Sequence, residues 1–275
     1  MAQYADYSTV NEVRATYRGT TATGQDTLFS ELIRSTSRDI EAACGGRRFY
    51  ARIETRRFDY TADRQLDLDD DLLAVTTVTN GDATTVAATD YHLLPYYGPP
   101  YYAIRLNEAS TVLWQLDSSG NSERVIQIAG QWGWHPAYAD IWLDTGGTLA
   151  AAITSTTATT TTCTTGTVRA GYLIKIDSEY LHVSAVTTGA SDTLTIVRGV
   201  NGSTAASHLI SAPISRWYFP SLEMICRMAV SAYERLKNNP VGETVRLDGQ
   251  SFSTPKDVKV WVESQLESIG ARRPF

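Results

Sequence analysis

Residues 26 to 60 read DTLFSELIRSTSRDIEAACGGRRFYARIETRRFDY, and the hydrophobic period changes inside this stretch. In its first half Leu28, Phe29, Leu32, Ile33, Thr36, Ile40 and Ala43 fall on one helical stripe. Asp26 is placed to cap the start of that helix, and Cys44-Gly45-Gly46 to end it. From Phe49 onward the period drops to two, and Arg52 to Tyr60 alternates in character and is rich in β-formers. A helix hands over to a strand here, and the rest of the chain extends both halves of the pattern.

Toward the N-terminus, Thr9 and Glu12 have capping-box spacing and Gly19 supplies a stop, which predicts a short first helix. Downstream, Leu66 and Leu68 continue the alternation, and Leu73 to Thr79 and Thr84 to Leu94 flank an Asn80-Gly81 turn. Tyr102 to Leu106 and Arg124 to Ala129 add two more strands. After Trp132-Gly133-Trp134-His135-Pro136 the composition shifts. Residues Thr148 to Thr167 are mostly Thr and Ala and read as an extended linker or edge-strand material. Four strand signals follow, at Val168 to Ile176, Tyr180 to Val186, Thr193 to Arg198 and Ala212 to Tyr218. Helix then returns. Pro220-Ser221 opens a stripe that Asn238-Asn239-Pro240 stops, and Thr254-Pro255-Lys256-Asp257 caps a last helix with Val258, Trp261, Val262 and Leu266 inward.

The expected fold is α+β: a helical body with a small antiparallel sheet, split by an inserted all-β module. Residues 1–140 with 216–275 form one α+β body in this reading, and residues 141–215 form the insert with its Thr-rich linker. Three consecutive units are the competing arrangement, but two terminal helices are too few to bury their stripes alone. Closing a longer surface loop costs entropy only slowly, so an insertion is tolerated.

Composition narrows the function classes. Hydrophobic residues at 43% and charged residues at 20% suit a soluble globular chain with a sizeable core. No run approaches the ~18 apolar residues that a membrane span needs, and Met1-Ala2-Gln3-Tyr4 lacks the basic start of a signal peptide, so assembly in the cytoplasm is expected. Cys44, Cys163 and Cys226 are odd in number and widely spaced, which argues for buried free thiols over a disulfide framework or a zinc site. A formal charge of −6 disfavours a chain that clamps nucleic acid, though not one that DNA merely passes.

No catalytic, cofactor-binding or metal-ligating set is expected, and the chain reads as a non-enzyme. His92, His135, His182 and His208 are scattered without ligand spacing and read as turn or surface residues. The acidic run Asp67-Leu68-Asp69-Asp70-Asp71 fails the EF-hand pattern, because Leu72 stands where glycine is needed and Val78 where the bidentate glutamate belongs. It reads as a solvated turn beside a strand. A hydrolase would have to draw on acids such as Asp69, Asp71 and Asp248. Asn201-Gly202-Ser203 reads as a tight turn, with no secretory signal to make it a glycosylation site.

The order of elements resembles the head–tail connector, or adaptor, proteins of long-tailed bacteriophages. The resemblance rests on the helix ending Ala43-Cys44-Gly45-Gly46-Arg47-Arg48-Phe49, then Thr55-Arg56-Arg57-Phe58, Leu66 to Val75, and Asp90-Tyr91-His92-Leu93-Leu94-Pro95. The strand Val125 to Gly130 running into Gln131-Trp132-Gly133-Trp134, and the closing helix pair, complete it. It covers residues 5 to 140 and 216 to 275, and the insert departs from it. The insert is itself similar to a β module of phage tail and virion proteins, through Gly171 to Ile176, Glu179 to Val183, and Leu194 to Ala205 with His208. Within it Arg198 and His208 read as turn-stabilising residues.

The resemblance implies a virion structural protein: a homo-oligomeric ring, typically of twelve subunits, in the neck between portal protein and tail or stopper protein. DNA would pass its channel without specific binding. Candidate ring or tail contacts are Tyr96, Tyr97, Tyr101 and Tyr102, since tyrosine is enriched at interfaces. Candidate portal contacts are Arg272, Arg273 and Phe275 at the tail. The alternative is a carbohydrate- or receptor-binding virion module, suggested by the Thr-rich β insert and its aromatic residues.

Overall fold

A computed structural model describes residues 6–18, 23–138, 141–238 and 244–271. The chain forms two compact units, Arg47–Ala139 and Met1–Gly46 with Asp140–Phe275. The described residues hold fourteen strands in three sheets and four α-helices. The fold is thus mostly β, which corrects the expectation of a helical body with one small sheet.

In the unit Arg47–Ala139, six strands make one antiparallel sheet: β1 (Arg52–Phe58), β2 (Gln65–Thr79), β3 (Thr85–Val86), β4 (Tyr91–Leu94), β5 (Tyr101–Leu106) and β6 (Ile126–Trp132). Their order is β1-β6-β2-β5-β4, with β3 paired to the end of β2. Strand β6 shows why the pattern reads as sheet: Ile126, Ile128, Gly130 and Trp132 are buried and the residues between them half-buried. The core gathers Phe58, Leu72, Ile104, Leu106, Trp114 and Trp132. A Cβ on Gly130 would lie 2.3 Å from the Ala74 carbonyl oxygen, so only glycine lets β6 approach β2 this closely. Arg52 pairs opposite Trp132, and the Trp134 N–H donates to the Arg48 carbonyl at 2.9 Å. The chain therefore enters and leaves this unit at adjacent points.

The acidic run is not the solvated turn expected. It lies within β2, where the register against β5 shifts between Asp67 and Leu72. Asp70 and Asp71 are buried against arginines: Arg47 reaches Asp71 at 2.8 Å, and Arg52 and Arg56 reach Asp70 at 2.7 and 2.9 Å. The bulge turns these carboxylates inward, and the arginines of β1 and of the segment leading to it supply the charge that burial demands.

The second unit carries the helices and the other two sheets. Helix α1 (Val10–Val13) has the expected capping box, with the Glu12 N–H on Thr9 Oγ1 and the Thr9 N–H on Glu12 Oε2, and continues as a π-helical turn over Arg14–Arg18. Gly19, its expected stop, lies outside the described residues. Helix α2 (Asp26–Ala43) starts one residue earlier in the cap than predicted, since Gln25 takes the N-cap position and Asp26 the first turn. At its end the Gly46 and Gly45 N–H groups bond the Glu41 and Ala42 carbonyls, a Schellman closure that needs the positive φ of Gly45. Helix α3 (Pro220–Asn238) packs on α2 and on α4 (Pro255–Ser268).

Strands β7 (Trp142–Thr148), β8 (Thr160–Cys163), β9 (Leu173–Ile176), β10 (Glu179–Thr187), β11 (Asp192–Val197) and β12 (Pro213–Trp217) form the second sheet, in the order β7-β12-β9-β10-β11-β8. Its ends meet: Leu149 bridges Cys163, the Ala150 N–H donates to the Thr162 carbonyl, and the Thr164 N–H donates to the Thr148 carbonyl. The sheet thereby closes as a small barrel around Leu149, Ile174, Ile176, Leu181, Val183, Leu194 and Ile214. The Thr-rich tract contributes the strand that closes it. These strands run from Trp142 to Trp217, nearly the span assigned to the insert. They fall in the same compact unit as the helices, and Arg47–Ala139 forms the other.

A hairpin of β13 (Val245–Leu247) and β14 (Gln250–Phe252) turns at Asp248-Gly249, both at positive φ. Trp261 is not the core residue that its stripe predicts. Val258, Val262 and Leu266 are buried on α4, while Trp261 is half-buried and meets Phe252 edge-on at 5.9 Å. Trp261→Ala should therefore cost about 1–2 kcal/mol in urea unfolding, below the ~3–5 kcal/mol of a fully buried tryptophan. A loss near 4 kcal/mol would mean that the ring is core after all.

Candidate interaction site

Strands β4 and β5 pair from Tyr91 opposite Leu106 to Leu94 opposite Ala103, and Pro95 to Pro100 connect them. Leu94, Ala103 and Ile104 are buried and anchor the base of this hairpin. Three prolines and Gly98 at φ 125° give the loop a set shape, and Pro95 accepts a bond from the Gly98 N–H. Tyr96 is 70% exposed, Tyr97 93% and Tyr102 54%. Tyr101 alone turns inward, half-buried against the sheet core. The His92 ring meets Tyr96 edge-on at 5.8 Å.

Below the loop lies an open cavity of about 660 Å³, lined by Tyr91, Tyr96, Tyr101 and Tyr138 above Leu73 and Val75. Burial raises the Tyr91 phenol above its ordinary range. Burial, then the neighbouring Tyr101, raise that of Tyr138. The Tyr138 hydroxyl donates to Gln131 Oε1 at 3.1 Å. Four phenols thus share one pocket on the exposed side of the sheet. The sequence pointed to the loop but not to this pocket, because Tyr91 and Tyr138 come from positions far apart in the chain.

The other sequence candidates divide. Arg272, Arg273 and Phe275 lie outside the described residues, and the last described residue, Ala271, is buried, its N–H on the Leu266 carbonyl. His92 is exposed as expected. His135 and His208 are buried and His182 half-buried, so these three are not surface residues; His135 accepts the Ala137 N–H in a turn, and His208 holds a loop. Burial pushes His182 down to about 4. Cys44, Cys163 and Cys226 are free and buried, and burial pushes the Cys226 thiol up to about 12, far from thiolate character. Asp69 and Asp71 are committed to Arg56 and Arg47, and Asp248 belongs to the other unit. Among the described residues, no group of His, Cys, Asp and Glu is arranged to hold a metal ion, and no helix is long and apolar enough to cross a membrane.

Arg198 and His208 converge on Glu179, which is fully buried in the barrel. Arg198 Nε donates to Glu179 Oε1 at 2.6 Å, Arg198 Nη2 to Oε2 at 2.5 Å, and His208 Nε2 lies 2.8 Å from Oε2. The Gly199 and Ala206 N–H groups complete the carboxylate's partners, and His208 Nδ1 meets Asp177 at 2.7 Å. All the acceptor capacity of Glu179 is spent on the loop that carries Asn201-Gly202-Ser203. The cluster therefore pins a loop and leaves no coordination open to a ligand. Asn201 sits at φ 50° in a short 3₁₀ turn, as the tight-turn reading of that tripeptide implies.

No protein-family model matches the chain, and no curated protein matches it.

Proposed function

We propose that this chain is a structural subunit of a tailed-phage particle, one copy in a ring between portal and tail through which DNA passes. The reading begins from the order of motifs from Cys44-Gly45-Gly46 to Gln131-Trp132-Gly133-Trp134. The observation that carries it in the folded chain is the tyrosine loop. Large aromatic surface held out in solvent by a proline-braced hairpin costs hydration unless something covers it, and tyrosine at such a place is characteristic of protein interfaces. A chain of charge −6 offers few contacts that would hold a duplex in a channel, so DNA slides. The ring sits in the virion neck, with the portal protein on one side and the tail or stopper protein on the other.

The barrel favours a second reading for one part of the molecule. Leu209 and Ile210 are exposed together on one of its turns, 80% and 60%, beside the exposed Ala150 to Ala152, an uncharged end suited to contact with a receptor or glycan. A glycan-array signal retained by residues 141–215 alone would support that reading.

The ring reading is tested on the loop. Tyr96→Ser, Tyr97→Ser and Tyr102→Ser together remove side chains that the fold does not use, so the melting temperature should move by less than about 2 °C. Assembly followed by native mass spectrometry, with the portal present, should fall at least tenfold. Unchanged assembly would remove the loop as the contact.

A further inference from the structure

We infer that the tyrosine-lined pocket under this loop receives an arginine side chain from a partner protein, an inference that rests on the interface reading above. Aromatic faces carry negative charge density, and a guanidinium stacks on them and donates to nearby oxygens. The pocket offers both. Tyr91, Tyr96, Tyr101 and Tyr138 supply rings, and no Lys or Arg is among its lining residues. The Tyr138 hydroxyl gives its proton to Gln131 Oε1, which leaves its own oxygen to accept from an N–H of the guest. Leu73 and Val75 make an apolar floor for the methylene stem of the guest. At about 660 Å³ the cavity falls in the range of small-ligand sites.

Elsewhere the chain places its own cations over its own rings: Arg47 over Trp134 at 5.0 Å, Arg56 over Trp132 at 4.9 Å, and Arg216 over Tyr218 at 4.4 Å. Among the described residues, none of the four pocket tyrosines has a cation above it. These ring faces are left to a guest's cation, and the chain's net charge of −6 favours its approach.

The test uses the full chain with ¹³C-labelled tyrosine, titrated with N-acetyl-arginine amide and with its uncharged isostere, N-acetyl-citrulline amide. Arginine amide should shift the Tyr101 and Tyr138 ring signals saturably, with citrulline amide at least about fivefold weaker. Tyr96→Ala, at an exposed position, and Tyr138→Phe, which removes one oxygen, should each weaken arginine binding by a similar factor. Equal shifts from citrulline, no saturable shift, or a methyl glycoside that moves the same rings where arginine does not, would each overturn the proposal. The two readings fail separately. Rings that assemble while the pocket ignores arginine sink this inference alone, and a pocket that takes arginine in a chain that never forms rings sinks the other.

Discussion

Glu179→Ala is expected to lower the unfolding free energy by about 3–5 kcal/mol, because removing one partner from a buried charge cluster strands the others. Arg198 is nearly as buried as Glu179, and with the carboxylate gone its guanidinium keeps only the Ser155 and Ala206 carbonyls. His208 loses its Nε2 partner, and the Gly199 and Ala206 N–H groups lose their acceptor. Urea unfolding monitored by tryptophan fluorescence measures the loss, since Trp142 and Trp217 lie on the barrel. A loss below 1 kcal/mol would show that the loop holds itself.

The same cluster sets a pH dependence. Burial alone would raise the Glu179 carboxyl, but the bonds from Arg198, Ala206, His208 and Gly199 outweigh it and hold the group below the ordinary glutamate range. A depressed folded-state value means that the stabilisation is complete above the unfolded-state value, about 4.3, and is lost as the pH falls through the folded one. Between pH 6 and pH 3 wild type should therefore lose more stability than Glu179→Gln. Parallel losses would remove Glu179 from the account.

Asp70→Ala is the second large effect, also about 3–5 kcal/mol. It leaves the fully buried Arg52 without its 2.7 Å partner and takes one carboxylate from Arg56. Asp69→Ala is its control. The Asp69 side chain is 64% exposed, and its pair with Arg56 is a surface pair of the kind that contributes about 0–1 kcal/mol. If the two neighbours cost the same, the acidic run is the solvated segment that its composition suggests, and the burial of Asp70 is immaterial to stability.

That contrast shows where the sequence was legible. Helices α2, α3 and α4 could be read from their stripes, and the capping boxes at Thr9 and Thr254 and the closure at Gly45-Gly46 from local spacing, because each signal spans only a few residues. The pairing of Asp71 with Arg47 and of Asp70 with Arg52 joins positions 24 and 18 apart, and nothing local distinguishes a buried carboxylate from a wet one. Strand β8 could be read only as linker or edge-strand material, because Thr160 to Cys163 sits in a tract with no apolar alternation, and closure of the barrel against Leu149 gives it its place. Trp261 shared a stripe with Val258 and Val262 but sits at the margin of the buried face, a distinction finer than helical spacing resolves. The tyrosine loop was legible from composition, while its pocket needed Tyr91, Tyr101 and Tyr138 brought together by the sheet.

Electron microscopy of the purified chain, alone and mixed with a portal protein encoded by the same genome, tests the central claim most directly. The account predicts closed rings of identical subunits seated on the portal, with a central opening wide enough for duplex DNA and the tyrosine loop at a subunit or tail contact. A chain that stays monomeric in both samples, with no density added to the portal, would contradict it.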